Sequence, residues 1–144
     1  MKKGLREENA ERIAGILEYI GDENSSILIE DDWELQIYYS LREEGCITIE
    51  MCAYSSRNGD ALFDPLMRIE LSTDENEKIK SAKAVYYLSR SIFGDEEIYA
   101  KGDPDCYSSK LYEKREGELD ERLSDWLNTI DMRGYITKGK ISRI

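Results

Sequence analysis

The fold is decided by residues 33–53, WELQIYYSLREEGCITIEMCA, in which apolar and polar side chains alternate in two runs. The apolar positions are Trp33, Leu35, Ile37, Tyr39 and Leu41 in the first run and Ile47, Ile49, Met51 and Ala53 in the second. A period of two residues is typical of a strand with one buried face. Because only a short segment containing Gly45 separates the runs, they predict an antiparallel hairpin.

Weaker signals on both sides of this hairpin predict further strands. An edge strand is expected at residues 27–29, two longer strands at 66–71 and 82–89, and a last strand at 97–101. Pro65 favours the start of a strand because it holds the preceding residue extended. Polar segments at 55–60 and 72–77 predict the intervening turns. The strands therefore follow one another as an antiparallel meander.

An amphipathic helix is predicted at each end of the chain. Apolar residues recur at helical spacing within residues 5–20, and Gly21 is a natural stop. Near the other end, the apolar stripe consists of Leu119, Leu123, Trp126, Leu127 and Ile130. It predicts a helix over 117–132 that ends before Gly134 and buries Trp126. Acidic residues would then lie in the first turn of that helix, where the helix dipole favours them.

Together these elements predict one α+β domain over residues 1–144, an antiparallel β-meander sheet flanked by an N-terminal and a C-terminal amphipathic helix. Residues 135–144 are expected to form a basic tail, since their charged side chains are Lys138, Lys140 and Arg143. Every apolar run is too short to span a bilayer, and residues 1–8 lack a secretory apolar stretch. We therefore expect a cytoplasmic protein without membrane contact.

The composition excludes several classes of function. The chain has no histidine, and 31 acidic residues against 20 basic ones give a net charge of −11. Histidine-dependent nucleophiles and His-ligated zinc or haem are therefore ruled out. Excess negative charge opposes phosphate binding, so we expect no specific duplex DNA binding. Cys46, Cys52 and Cys106 form no CxxC motif and are interpreted as ordinary thiols of a reduced protein.

Three parts of the chain resemble a family of small domains of unknown function. They are Asn58-Gly59-Asp60 with residues 64–70, the segment Ala84-Val85-Tyr86-Tyr87, and residues 119–130 followed by Gly134-Tyr135. The family occurs on bacterial plasmids, conjugative elements and phages, and the resemblance covers about the last two thirds of the chain. It implies a mobile-element setting and assigns no catalytic residues.

Acidic segments and tyrosine pairs are the candidates for binding a protein partner. The acidic candidates are Glu30, Asp31 and Asp32 in one segment and Glu116, Glu118 and Asp120 in another. The aromatic candidates are Tyr38 and either Tyr86 or Tyr87, since each tyrosine pair sends one ring to either face of a strand. An acidic surface attracts a basic protein groove. We therefore expect a non-enzymatic, protein-binding accessory protein of a mobile element, in its most specific form a DNA-mimicking inhibitor of a host defence nuclease.

Two other classes of function stay open. A carboxylate-based or metal-assisted enzyme would need paired acids or an oxygen-lined cation site, for which Asp60, Asp64 and Glu70 are candidates. Their spacing fits no EF-hand, and aspartate is also a common turn residue, so we expect neither a metal nor a cofactor. The other alternative is a structural or regulatory homo-oligomer, which would show a large apolar face. The oligomeric state does not follow from the sequence.

Overall fold

A computed structural model describes residues 4–29, 33–55, 62–90, 96–100 and 109–144, with the backbone alone at 62–64, 90, 96–100 and 109–116. Its helices are α1 (Leu5–Ile20), α2 (Ser109–Arg133) and α3 (Tyr135–Lys138). Its strands are β1 (Ser25–Leu28), β2 (Glu34–Glu43), β3 (Cys46–Ser55), β4 (Leu62–Thr73), β5 (Ile79–Arg90), β6 (Glu96–Ala100) and β7 (Lys140–Arg143).

The strands form one antiparallel sheet in the order β6-β5-β4-β3-β2-β1-β7. The α+β class, the meander from β1 to β6 and the two flanking helices are confirmed. The expected edge position of β1 is wrong, because β7 pairs with its outer side from Ser25↔Arg143 to Leu28↔Lys140. The C-terminal residues are thus a strand of the sheet instead of a tail.

Arg143 anchors this last strand to the end of α1. Its guanidinium donates hydrogen bonds to the carbonyl oxygen of Ile20 and to Oγ of Ser25, and its Nε lies 3.3 Å from a carboxylate oxygen of Glu23. A basic side chain of the last strand thus pairs with a carboxylate of the segment that follows α1. The same contacts cover the carbonyl end of the helix, where a positive charge is favourable.

One hydrophobic core lies between the helices and one face of the sheet. Its buried side chains include Ile13, Ile16 and Ile20 of α1, Leu119, Leu123, Leu127 and Ile130 of α2, and Leu35, Ile37, Ile49, Met51, Met67, Ile69 and Leu71 of the sheet. These strand residues point to a single side, as the period of two requires. Within the described residues, no helix packs on the opposite face of the sheet.

A β-bulge in β2 changes the face of its last residues. Tyr39 pairs with Ile49, but Leu41 pairs with Thr48, so one extra residue, Ser40, separates the two pairs. Leu41 was predicted on the apolar side; the bulge turns it to the opposite face, where it is 42% exposed. Arg42 takes the core side at the end of the strand, opposite Ile47.

Helix α2 begins eight residues earlier than the apolar stripe predicted, at Ser109. Residues such as Glu118 and Asp120 therefore lie in its interior, and the expected match between first-turn acids and the helix dipole is wrong. The predicted burial of Trp126 is also only half correct. Leu123 is fully buried, whereas Trp126 packs at the margin of the core with part of its ring in solvent.

Candidate functional site

A groove of about 850 Å³ lies at one end of the sheet, beyond the C-terminus of α1. We call it the acidic groove, and its lining residues come from α1 and the segment after it, and from β2 to β5 around the β2–β3 and β4–β5 turns. They are Leu17, Glu18, Asp22, Tyr39, Arg42, Glu43, Glu44, Gly45, Ile47, Thr73, Asp74, Glu75, Glu77 and Ile79. Seven of these described residues are carboxylates, against one guanidinium.

Backbone hydrogen bonds hold the two turns of the acidic groove in place. The N–H of Thr73 donates to the carbonyl of Gly45 at 3.1 Å, which ties one turn to the other. Oδ1 of Asp74 accepts from the N–H groups of Asn76 and Lys78, both at 2.9 Å. These bonds, above all the one from Lys78, lower the pKa of Asp74, so the carboxyl stays charged to lower pH than usual.

The floor of the acidic groove is apolar. Leu17, Tyr39, Ile47 and Ile79 are partly buried there and pack against the main core. Glu18, Glu43, Glu44 and Glu75 are exposed around it. A rim of carboxylates around an apolar floor is complementary to a segment that carries basic and apolar side chains together.

Arg42 already occupies part of this groove. Its guanidinium lies 4.0 Å from the centre of the Tyr39 ring and donates a hydrogen bond to the carbonyl of Asp22. The Tyr39 hydroxyl donates to the carbonyl of Gly21 at 2.8 Å. Burial raises the pKa of Tyr39, with Arg42 acting in the opposite direction. The floor therefore already holds one cation against an aromatic ring, which shows that the groove accommodates a guanidinium.

A second surface is the middle of the sheet face on which no described helix packs. We call it the open face and define it by three rows across β2, β3, β4 and β5. The rows are Gln36-Cys52-Leu66-Leu88, Tyr38-Glu50-Arg68-Tyr86 and Leu41-Thr48-Glu70-Lys83. In the middle row, Nη2 of Arg68 lies 2.7 Å from Oε1 of Glu50, and its guanidinium lies 5.6 Å from the centre of the Tyr86 ring.

Side-chain hydrogen bonds fix the β2 end of the open face. Oε1 of Gln36 accepts from the Tyr38 hydroxyl at 3.1 Å and from the Cys52 thiol at 3.6 Å. Burial, followed by the charges of Glu50 and Glu34, raises the pKa of Cys52 from 9.0 to about 12. A thiol held neutral in this way is a poor nucleophile.

We expect Cys52 to resist alkylation in the folded protein. With a pKa near 12 instead of 9.0, its thiolate fraction at pH 8, and hence its rate, falls about 1000-fold. The measurement is the rate of iodoacetamide labelling in a Cys46→Ser, Cys106→Ser variant, with and without denaturant. A folded-state rate close to that of free cysteine would contradict the burial of this thiol.

The structure separates the predicted acidic candidates. Asp120 is 7% exposed, and its Oδ2 accepts from Nε of Arg6 at 2.9 Å, so it joins α2 to α1 instead of facing a partner. This prediction of a surface role is wrong, because the residue sits on the side of α2 that meets α1. Glu118 is exposed and pairs with Arg122 at 3.0 Å. Residues 30–32 lie outside the described residues, as does the side chain of Glu116.

The structure places the predicted tyrosines on different faces of the sheet. Tyr38 and Tyr86 lie on the open face, in the same row and three strands apart, which corresponds to about 14 Å. Tyr87 points to the core side, where the guanidinium of Arg122 lies 4.8 Å from the centre of its ring. Tyr86 is therefore the outward residue of that pair.

The metal candidates are not brought together by any described contact. Asp60 and the side chain of Asp64 lie outside the described part of the chain, and Glu70 is an exposed residue of β4. Among the described residues, no three carboxylates or cysteines are grouped closely enough to hold a metal ion. Of the helices that the structure describes, none is both long and apolar enough to cross a bilayer.

Sequence reasoning missed the acidic groove. Its acids come from α1, the segment after it and two separate turns, and each group alone has the composition of an ordinary solvated surface. The clusters Glu43-Glu44 and Asp74-Glu75 were visible in the sequence as turn residues. An antiparallel meander places alternate turns at the same end of a sheet, and this was the available signal.

Comparison of the chain with protein-family models, with curated proteins and with solved structures gives no match. The resemblance to the mobile-element family therefore stays a prediction.

Proposed function

We propose that this protein is a non-catalytic binding protein whose acidic groove accepts a basic, amphipathic segment of a protein partner. The observation that carries the proposal is the joining of seven carboxylates and an apolar floor in one groove of about 850 Å³. Carboxylates would attract and orient the basic side chains of the partner. The floor would bury its apolar ones.

The structure of the walls supports a preformed site. The hydrogen bond between Thr73 and Gly45 and the turn capped by Asp74 hold both acidic turns before any partner arrives. A preformed surface loses little conformational entropy on binding. The Cys52 thiol, whose pKa burial raises to about 12, is a poor nucleophile, which also favours binding over catalysis.

Inhibition of a host defence nuclease by a mobile-element protein in the cytoplasm is the more specific form of this proposal. A DNA mimic would need a convex acidic surface that enters the cleft of the nuclease. On the described surface, α2 supplies one with Glu118, Glu121, Asp125 and Asp131. The acidic groove is concave, so it fits a protruding basic segment instead. The two surfaces can be separated by experiment.

Neutralising the groove is expected to weaken binding of a basic peptide about tenfold at low salt, since several screened charge pairs of modest strength are lost. The variant combines Glu43→Gln, Glu44→Gln and Glu75→Gln and leaves Asp74 to cap its turn. The probe is a short fluorescein-labelled amphipathic peptide of lysine and leucine, measured by fluorescence anisotropy. A peptide with glutamate in place of lysine controls for apolar binding.

The matched control combines Glu121→Gln, Asp125→Asn and Asp131→Asn, which remove the same number of exposed charges from α2. We expect this variant to bind the lysine peptide as the wild type does. A loss confined to the control would move the site to the convex surface of α2. Equal losses in both variants, or no binding by the wild type, would reject the acidic groove as the binding site.

A further inference from the structure

The open face is electrically balanced on a strongly acidic protein. Its three rows contain two acids, Glu50 and Glu70, and two bases, Arg68 and Lys83. The whole chain has a net charge of −11, and the acidic groove concentrates carboxylates. Two copies of the chain repel each other over most orientations, but this face can approach a like surface without that penalty.

The open face is also complementary to itself. Consider two copies with their open faces together, related by a two-fold axis that runs parallel to the strands and passes over the line between β3 and β4. This axis places β2 of one copy opposite β5 of the other, and β3 opposite β4. In the middle row, it places Glu50 of one copy opposite Arg68 of the other, and Tyr38 opposite Tyr86. In the outer rows, the axis places Thr48 opposite Glu70 and Cys52 opposite Leu66. Cys52 and Thr48 are only 3% and 9% exposed, so the larger side chains around them would make the contact. Over these three rows, no like charges face each other.

The central ion pair has room for a second partner. Arg68 and Glu50 have side chains 48% and 31% exposed, so the pair is not sealed within one chain. A guanidinium carries five N–H donors and a carboxylate about four acceptor positions. Two such pairs stacked by the two-fold axis would form a closed ring of four alternating charges at the centre of the interface. Tyrosine and arginine are the residue types enriched at such centres.

The dimensions of the face suffice for a dimer. Strand β3 has ten residues, which span about 30 Å, and the strands from β1 to β5 span about 24 Å at the usual spacing. The whole sheet face, with the three rows at its centre, therefore measures roughly 700 Å², close to the ~800 Å² that each partner contributes to a standard interface.

We infer that the open face is the interface of a two-fold homodimer, in which the two sheets pack face to face and Glu50 pairs with Arg68 of the other copy. This surface lies on the side of the sheet away from the helices. The inference is therefore independent of the proposed function of the acidic groove.

Charge reversal tests this interface by sedimentation equilibrium. The wild type is expected to dimerise at concentrations on the order of 100 µM. Arg68→Glu and Glu50→Arg should each weaken self-association about 100-fold, because both place two like-charge pairs at the two-fold axis. An equimolar mixture of the two variants should dimerise again. The middle row then carries two acids in one variant and two bases in the other, so opposite charges face each other in the mixed dimer.

The matched control is Glu118→Arg, which reverses the same charge and breaks the same kind of exposed ion pair on α2, on the helix side of the sheet and not on the open face. It should dimerise as the wild type does. Thermal unfolding of every variant confirms that the fold is retained. Any one of three results would overturn the two-fold interface: a monomeric wild type, equal weakening of self-association by the control, or a mixture of the two variants that stays monomeric. A monomeric wild type would be the result if the open face binds a different protein.

Discussion

Replacing Gly139 by alanine is expected to destabilise the fold by about 3 kcal/mol or more, because the position has no room for a methyl group. A Cβ there would overlap Cγ2 of Ile27 and the carbonyl oxygen of Tyr135. The backbone angles of Gly139, φ −68° and ψ 142°, suit any residue, so the expected loss is steric alone. Chemical denaturation followed by circular dichroism measures it.

The hydrogen bonds of Gly139 explain why a small shift of its backbone cannot remove the overlap. Its N–H donates to the carbonyl of Tyr135 at 3.1 Å, and its carbonyl accepts from the hydroxyl of Tyr19 at 2.7 Å. The residue therefore fixes the point where β7 leaves α3 and joins β1. Moving it would disturb the strand that closes this edge of the sheet.

Gly117→Ala is the matched control, since a Cβ at Gly117 meets nothing within 4 Å. Gly117 lies inside α2, where alanine is favoured over glycine by about 0.5–1 kcal/mol. The two substitutions should thus have opposite signs. If Gly139→Ala unfolds within about 0.5 kcal/mol of the wild type, then β7 does not pack against β1 as described.

The second large effect concerns the core face of α2. Leu123→Ala is expected to cost about 2–5 kcal/mol because the side chain is 0% exposed and its loss leaves a cavity between α2 and the sheet. Trp126→Ala is expected to cost about 1–2 kcal/mol, since only part of the ring is removed from water. The free energies of unfolding of both variants give the comparison.

This order is the reverse of what side-chain size suggests. From the sequence, Trp126 belongs to the same stripe as Leu123 and would be the larger loss. A Trp126→Ala variant less stable than Leu123→Ala would show that α2 is rotated relative to the described packing. The free energy of unfolding of a Leu119→Ala variant would then distinguish the two explanations, since Leu119 is also fully buried. A small loss would indicate that the whole helix is rotated, and a large loss that the packing differs only around Trp126.

The acidic groove and the open face differ in how far the sequence anticipated them. Tyr38 and one residue of the Tyr86-Tyr87 pair were predicted to face outward, because alternation along a strand gives neighbouring residues opposite faces. Which of the two does so was left open by the sequence. That Tyr38 and Tyr86 share one row required the register of three strand pairs. The groove was not predicted, because its seven carboxylates come from segments far apart in the chain.

What the sequence alone determined is the class of the fold and most of its elements. Alternation in residues 33–53 and the helical spacing of Ile13 and Ile16 are strong local signals, since a period of two or of 3.6 residues decides which side chains can be buried together. The absence of histidine likewise rules out histidine-dependent chemistry, and the net charge of −11 predicts that the protein does not bind duplex DNA specifically.

The tertiary structure alone decided the features that depend on contacts between distant residues. Three such features have no counterpart in the periodicity of the sequence. They are the bulge that exposes Leu41, the burial of Asp120 against Arg6, and the close packing around Gly139. The joining of two turns into the acidic groove is of the same kind, as is the pairing of β7 with β1. Local propensity reports the preferred state of a segment, whereas these features arise from which surfaces meet after the segments have formed.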